Sequence, residues 1–226
     1  AYIGHSWELF ALRAWIVAFL VFAGAEKTGI SILSATIIAG AASVIGGPIS
    51  IIGNEISERY GRRKTIMVIM VLASLTSIIT GYSASLSLGA AALFIIIYSG
   101  FVMGDSASLT AGAAGAAMSG YHGATLAVHS ILGFTGALLG PLCAGLALDF
   151  SGGQSSTNAW IIAFATIGFG YKSEHGIHPV ELGYQEINSN DSTNGNIVFA
   201  TRDSPEITEE LATIKIFAYK ARKSEN

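Results

Sequence analysis

The chain has 226 residues, 51% of them hydrophobic and 12% charged, with a formal net charge of −3. Its lone cysteine, Cys143, excludes a disulfide framework and a cysteine-based metal site. Set in an apolar run, Cys143 reads as a small buried hydrophobe.

The averages conceal two unlike parts. Residues 1–171 hold six basic side chains (Arg13, Lys27, Arg59, Arg62, Arg63, Lys64) and six acidic ones (Glu8, Glu26, Glu55, Glu58, Asp105, Asp149). Residues 172–226 hold the other six basic and nine acidic groups, so the net charge arises in this tail. The division predicts a membrane domain over 1–171 and a polar, partly disordered cytoplasmic tail over 172–226. The sequence does not begin with Met, and its first apolar run is too long for a signal peptide and lacks a cleavage site. A start lost from a longer chain is the expectation.

A helix needs about 20 mostly apolar residues to cross a bilayer. Residues 6–24 form the first such run and carry Glu8 and Arg13, five positions and so about 140° apart on a helix. They are not expected to pair with each other. Arg13 is expected either to face a cavity, binding an anionic group or pairing with Asp105, or to snorkel or pair between helices. His5, Trp7 and Trp15 flank them, and the tryptophans suit interface anchors.

The second run, 29–53, ends at the polar stretch 54–65, which holds four of the domain's six basic residues. The third run is 65–83. A cluster of Lys/Arg between two spanning runs marks a cytoplasmic connection. With that connection inside, both termini are cytoplasmic, and the chain reads as a multi-pass protein of the inner membrane with the lipid bilayer as its first partner. One reading of the stretch is topology alone. The other is a gate, in which Arg59, Arg62 and Arg63 pair with acids and helix C-termini in one state and release in another, with Glu58 as a partner of Arg62.

The fourth run, 91–117, places Asp105 near its middle. Ionisable groups inside spans are costly and usually face a cavity or a partner. Asp105 therefore reads either as a substrate-contacting or proton-carrying carboxylate, or as a structural hydrogen-bond acceptor to Ser106, Thr110 or a neighbouring helix. The fifth run, 123–148, carries His129, a packing residue or a proton relay, and Gly133, Gly136, Gly140, Pro141 and Gly145. Small residues let helix backbones approach closely in lipid. The sixth run, 158–171, is short for a span, and the tail beyond it reads as unrelated material joined on. Within the tail, 196–201 suits a short strand. A helix is expected over 205–222, with Pro205 at its start, an apolar face and basic residues near its end, suited either to a membrane surface or to solvent.

The residues Ile56-Ser57-Glu58-Arg59-Tyr60-Gly61-Arg62-Arg63-Lys64 resemble the cytoplasmic signature of the major facilitator superfamily, Gly-x-Leu-Ala-Asp-Arg-x-Gly-Arg-Arg/Lys. Glu58 stands for its acid, Arg59 for the following base, and Gly61, Arg62 and Arg63 for its close. Asn54 replaces the leading Gly, with Gly53 one place early. Gly136-x-x-x-Gly140-Pro141-x-x-Ala144-Gly145 is similar to the superfamily's Gly-Pro helix motif, and residues 98–124 resemble a fourth span with its short loop. The start, 4–15, looks like the opening of a C-terminal half. The likeness covers about 165 of the 226 residues and leaves the tail unmatched.

The resemblance implies an all-α integral membrane fold, a six-transmembrane-helix bundle corresponding to spans seven to twelve, half of a two-half transporter. It implies a secondary active transporter, symporter or antiporter, moving a small-molecule solute with ion or proton coupling by alternating access. Such a chain is incomplete without a second six-helix half or a homodimer. Asp105, Arg13, Glu8 and His129 are the candidates for substrate or proton coupling. Glu58, Arg59, Gly61, Arg62 and Arg63 are the gate, and Gly136, Gly140, Pro141 and Gly145 the packing motif. The alternative is a transport-incompetent relic or a regulatory protein acting through its tail. No cofactor and no metal is expected, and His175 and His178 in the tail are a weak pair. No phosphate-binding loop, His-Glu-x-x-His motif or nucleophile elbow occurs, so no enzyme is expected. The basic loop is too small for nucleic acid.

Overall fold

The computed structural model describes residues 1–25, 31–169, 181–182 and 199–200. They fall in two units, Ala1–Glu174 and His175–Asn226. In the second, Glu181–Leu182 pairs antiparallel with Phe199–Ala200, in the register Glu181 to Ala200. The observed strand lies within the expected 196–201. The expected helix over 205–222 and the His175/His178 pair lie outside the described residues.

The first unit is helical: α1 (Tyr2–Ala25), α2 (Ile32–Tyr60), α3 (Arg62–Ser83), α4 (Leu88–Gly104), α5 (Ser106–Gly115), α6 (His122–Phe150) and α7 (Thr157–Phe169). Hydroxyls and glycines set the boundaries. Ser31 caps α2 by accepting from the Ser34 amide at 3.1 Å, and Ser87 caps α4 through the Ala90 amide at 3.1 Å. Gly61 alone joins α2 to α3, at φ 97°. A side chain there would be strained, so the signature's glycine has a conformational reason.

Five stretches among the described residues are long and apolar enough to cross a membrane: α1, α2, α3, the combined Leu88–Gly115 and α6. The fourth is one 28-residue stretch interrupted at Asp105. The sixth run is a helix of 13 residues, shorter than a span needs.

Contacts between helices fix their directions. Ser99 bonds the Ala42 carbonyl and the Ala107 amide bonds Ser50, so α2 and α4 run in parallel. Ser77 donates to the Phe164 carbonyl and Ser74 to the Gly168 carbonyl, so α3 and α7 run antiparallel. Gly133 lies against Tyr2 and Gly145 against Trp15, which makes α1 and α6 parallel. Each successive spanning stretch therefore reverses direction. The start of α1, the Gly61 connection, the end of α5 and the start of α6 share one end, called the basic end below.

Lipid removes most of the hydrophobic drive between helices, leaving close packing and hydrogen bonds. The buried residues of α2 are all small: Ala35, Ala39, Ala42, Gly46, Ser50, Gly53 and Ser57. At Gly53 an added Cβ would collide with the Gly104 carbonyl. On α6, an added Cβ at Gly136 or Gly140 would collide with the backbone of Ile3 or Trp7, and one at Gly145 would come 2.8 Å from the Trp15 ring. Trp15 Nε1 donates to the Pro141 carbonyl at 3.0 Å and Trp7 Nε1 to the Thr166 carbonyl at 3.3 Å. Both half-buried indoles thus donate to carbonyls of neighbouring helices.

Away from the basic end, an aromatic cluster fills the core. Phe19 lies 4.6 Å from Phe164 and 5.4 Å from Trp160 between ring centroids, both edge-on. The short α7 is held there, and Ser77 adds a 2.6 Å bond to the Phe164 carbonyl. Ser77→Ala is expected to cost about 0.6–1.7 kcal/mol, the range for hydrogen bonds between helices in a membrane. Thermal unfolding in detergent would read this as a lower midpoint with an unchanged helical spectrum.

Candidate functional site

Two acids lie inside the bundle, each tied to an aromatic partner on a facing helix. His5 and Glu8 are three apart on α1, and Tyr98 and Asp105 are seven apart on α4 and its end, so each pair lies on one helix face. Facing each other, they form two bonds. His5 Nδ1 and Asp105 Oδ1 are 2.8 Å apart, and the Tyr98 hydroxyl donates to Glu8 Oε1 at 2.7 Å. His5, Glu8 and Asp105 are each 3% exposed, and Tyr98 is fully buried. The imidazole Nδ1–H donates when the Asp105 carboxyl is ionised. Burying charge is costly unless it is paired, and here each acid has one named partner.

Asp105 sits at the interruption between α4 and α5. Beyond it, Ser50 accepts from the Ala107 amide at 3.1 Å, and the Ser108 hydroxyl meets that of Ser57 at 2.8 Å. Small hydroxyls of α2 thus hold the broken stretch. Asp105 is the eighteenth of the 28 residues of its stretch, a few residues past the middle, and its carboxylate meets His5 on α1.

Arg13 does not reach this site. It is exposed on another face of α1, and Asp105 pairs with His5 in its place. The cause is the same 140° separation that keeps Arg13 from Glu8: with Glu8 turned inward, Arg13 turns out.

His129, half-buried on α6, stacks on Tyr2 with centroids 3.5 Å apart at 18°. Tyr2 in turn lies 5.8 Å from His5 at 13°. The rings form a stack from α6 to the His5–Asp105 pair. His129 Nε2 is buried and finds no hydrogen-bond partner among the described residues. It packs by its ring face.

At the basic end, Arg62 ties three elements. Its Nη1 donates to the Ser108 carbonyl at 2.8 Å and to Asn54 Oδ1 at 3.2 Å, while Nη2 lies 3.7 Å from Glu58 Oε1. Asn54 Nδ2 donates to the same Glu58 oxygen at 3.0 Å. Asn54, where the signature has glycine, is therefore part of the network. Arg59 lies over the Tyr60 ring at 5.6 Å, and Arg63 is exposed. Of the three arginines, Arg62 makes an ion pair among the described residues. Arg62→Lys removes a planar fork that a point charge cannot replace. It is expected to release α5 from the connection, read as faster amide hydrogen exchange over 106–115, with Arg63→Lys as an unchanged control.

Sequence reasoning missed Tyr98 and Tyr2 and gave His5 only a flanking place. The spacings of three between His5 and Glu8 and seven between Tyr98 and Asp105 were the available signal. Among the described residues no group of three or more His, Cys, Asp or Glu side chains is placed to hold a metal ion. No protein-family model matches the chain, and no curated protein or solved structure matches it.

Proposed function

We propose that the chain is one half of a secondary active transporter of the major facilitator type, moving a small solute by alternating access with ion or proton coupling, and working with a second six-helix half or a second copy. The observation that carries the reading is the break at Asp105, where a buried carboxylate, held by His5, lies beside the buried Glu8–Tyr98 pair. Discontinuous helices and buried acids are what a transporter needs for ion sites at membrane depth.

One further feature supports it. The Arg62 network at the basic end joins the α2–α3 connection to α5 through bonds that a conformational change can break.

The test combines two measurements on the full chain. The mass of the detergent-solubilised complex is expected to equal two six-helix bodies. In vesicles with an entrapped pH dye, a panel of small acids, sugars and amino acids is expected to include a solute that carries protons or builds up under an imposed gradient. An assembled complex that moves no solute under any gradient supports instead the membrane protein acting through its tail.

A further inference from the structure

The two interior acids have unlike partners. Asp105 faces an imidazole, which can carry a positive charge, at 2.8 Å. Glu8 faces the Tyr98 hydroxyl at 2.7 Å, a neutral donor, and that is its one polar partner among the described residues. Both side chains are equally buried. A buried carboxylate needs a compensating charge as well as hydrogen bonds, and a phenol supplies a single hydrogen bond.

The surrounding elements add no cation for Glu8. The α4 stretch brings Tyr98 and a second acid, Asp105, and His5, one turn back on α1, is turned to Asp105. From α6, His129 stacks on Tyr2 and reaches no further than that ring and His5. Neither α5 nor α7 has a titratable side chain. On α3, Arg62 is bound by Ser108, Asn54 and Glu58. Arg13, Arg59, Arg63 and Lys64 are exposed.

We infer that Glu8 is a proton carrier of the transporter: its carboxyl keeps a proton while the bundle encloses it and yields that proton when water reaches the Glu8–Tyr98 pair. The inference rests on the transporter reading and names the proton as its coupling ion. The proton passes from the carboxyl oxygen to water, leaving a carboxylate that the Tyr98 hydroxyl stabilises until a proton returns from the other side. The His5–Asp105 pair holds its own proton between ring and carboxyl, so the two acids are not equivalent. A metal cation is served poorly here, because the Tyr98 hydrogen points at the oxygen whose lone pair such an ion needs.

The test reads protonated carboxyls by infrared spectroscopy of the full-length protein in lipid vesicles. Solvated carboxylates are ionised at about pH 7, so a carboxylic-acid carbonyl stretch at that pH reports an enclosed acid. Glu8→Gln is expected to remove the band and Asp105→Asn to leave it. Tyr98→Phe should shift it, because the carboxyl loses its hydrogen bond, and this variant decides the matter where Glu8→Gln does not fold. Alkaline pH should remove the band reversibly. In vesicles with the entrapped pH dye, Glu8→Gln should let a solute of the panel run down its own gradient with no dye response. No band at neutral pH, or a band that Asp105→Asn removes and Glu8→Gln spares, overturns the assignment and leaves the transporter reading standing. A band fixed at every pH marks a locked proton and overturns the carrier in the same way. Solute movement by the wild type without a dye response overturns proton coupling alone. A wild-type complex that moves no solute removes both readings.

Discussion

On the proposed transporter reading, Asp105→Asn is expected to abolish gradient-driven uptake while leaving the protein folded. Asn keeps the shape and an oxygen that accepts from His5 Nδ1–H, so the 2.8 Å contact between α1 and the α4–α5 break survives. What it cannot do is take up and release a proton. The pair can be dissected further. Asp105→Leu leaves the buried His5 without its partner, an expected cost of about 1–3 kcal/mol for an unsatisfied buried polar group. Adding His5→Leu should recover part of that loss, because the doubly apolar pair strands no polar atom. The non-additivity in a double-mutant cycle, read by thermal unfolding in detergent, measures the coupling. Uptake by Asp105→Asn at the wild-type rate would remove the carboxylate from the mechanism.

Gly53→Val is expected to be the most damaging change in the packing. The added Cβ falls on the Gly104 carbonyl, which is backbone and cannot rotate away. Overpacking in a tight core costs about 1–3 kcal/mol and more where the backbone itself must move. Spreading α2 from α4 here also breaks the neighbouring Ser57–Ser108 and Ser50–Ala107 bonds. The prediction is loss of monodisperse protein, or a fall of about 3 kcal/mol or more in stability. Gly47→Ala is the control: the same helix, but nothing within 4 Å of the added methyl. A Gly53→Val protein as stable as Gly47→Ala would show that the crossing is not tight.

What the sequence made legible follows from what is local. Apolar run lengths located the first, second, third and fifth spans. The polar 54–65 stretch fixed the α2–α3 connection, and Glu58 was readable as a partner of Arg62 from their spacing of four. Asp105 stood out because an acid in an apolar run is rare. Its partner did not, since His5 lies a hundred positions away and only folding brings it near. The interruption at Asp105 was hidden as well, because Gly104 and Ser106 are ordinary within a small-residue span. Pairing Arg13 with Asp105 conflicted with arithmetic already at hand. Once Glu8 is inward, a residue 140° away faces elsewhere. The carbonyl partners of Trp7 and Trp15 were hidden for a related reason, since they lie more than a hundred positions away.

The single residue between α2 and α3 has a mechanical consequence. A peptide chain has two soft torsions per residue, so the two helices meet at a joint with essentially two degrees of freedom. Gly61, at φ 97°, is that joint, with Tyr60 and Arg62 already helical on either side. With no slack in the connection, a tilt of α2 has to reappear as a tilt of α3 or as rotation at Gly61. Arg62, the first residue past the joint, is also fastened to Ser108. Motion at the basic end therefore delivers a displacement to α5, and through it to the Asp105 break, in the manner of a crank and its connecting rod.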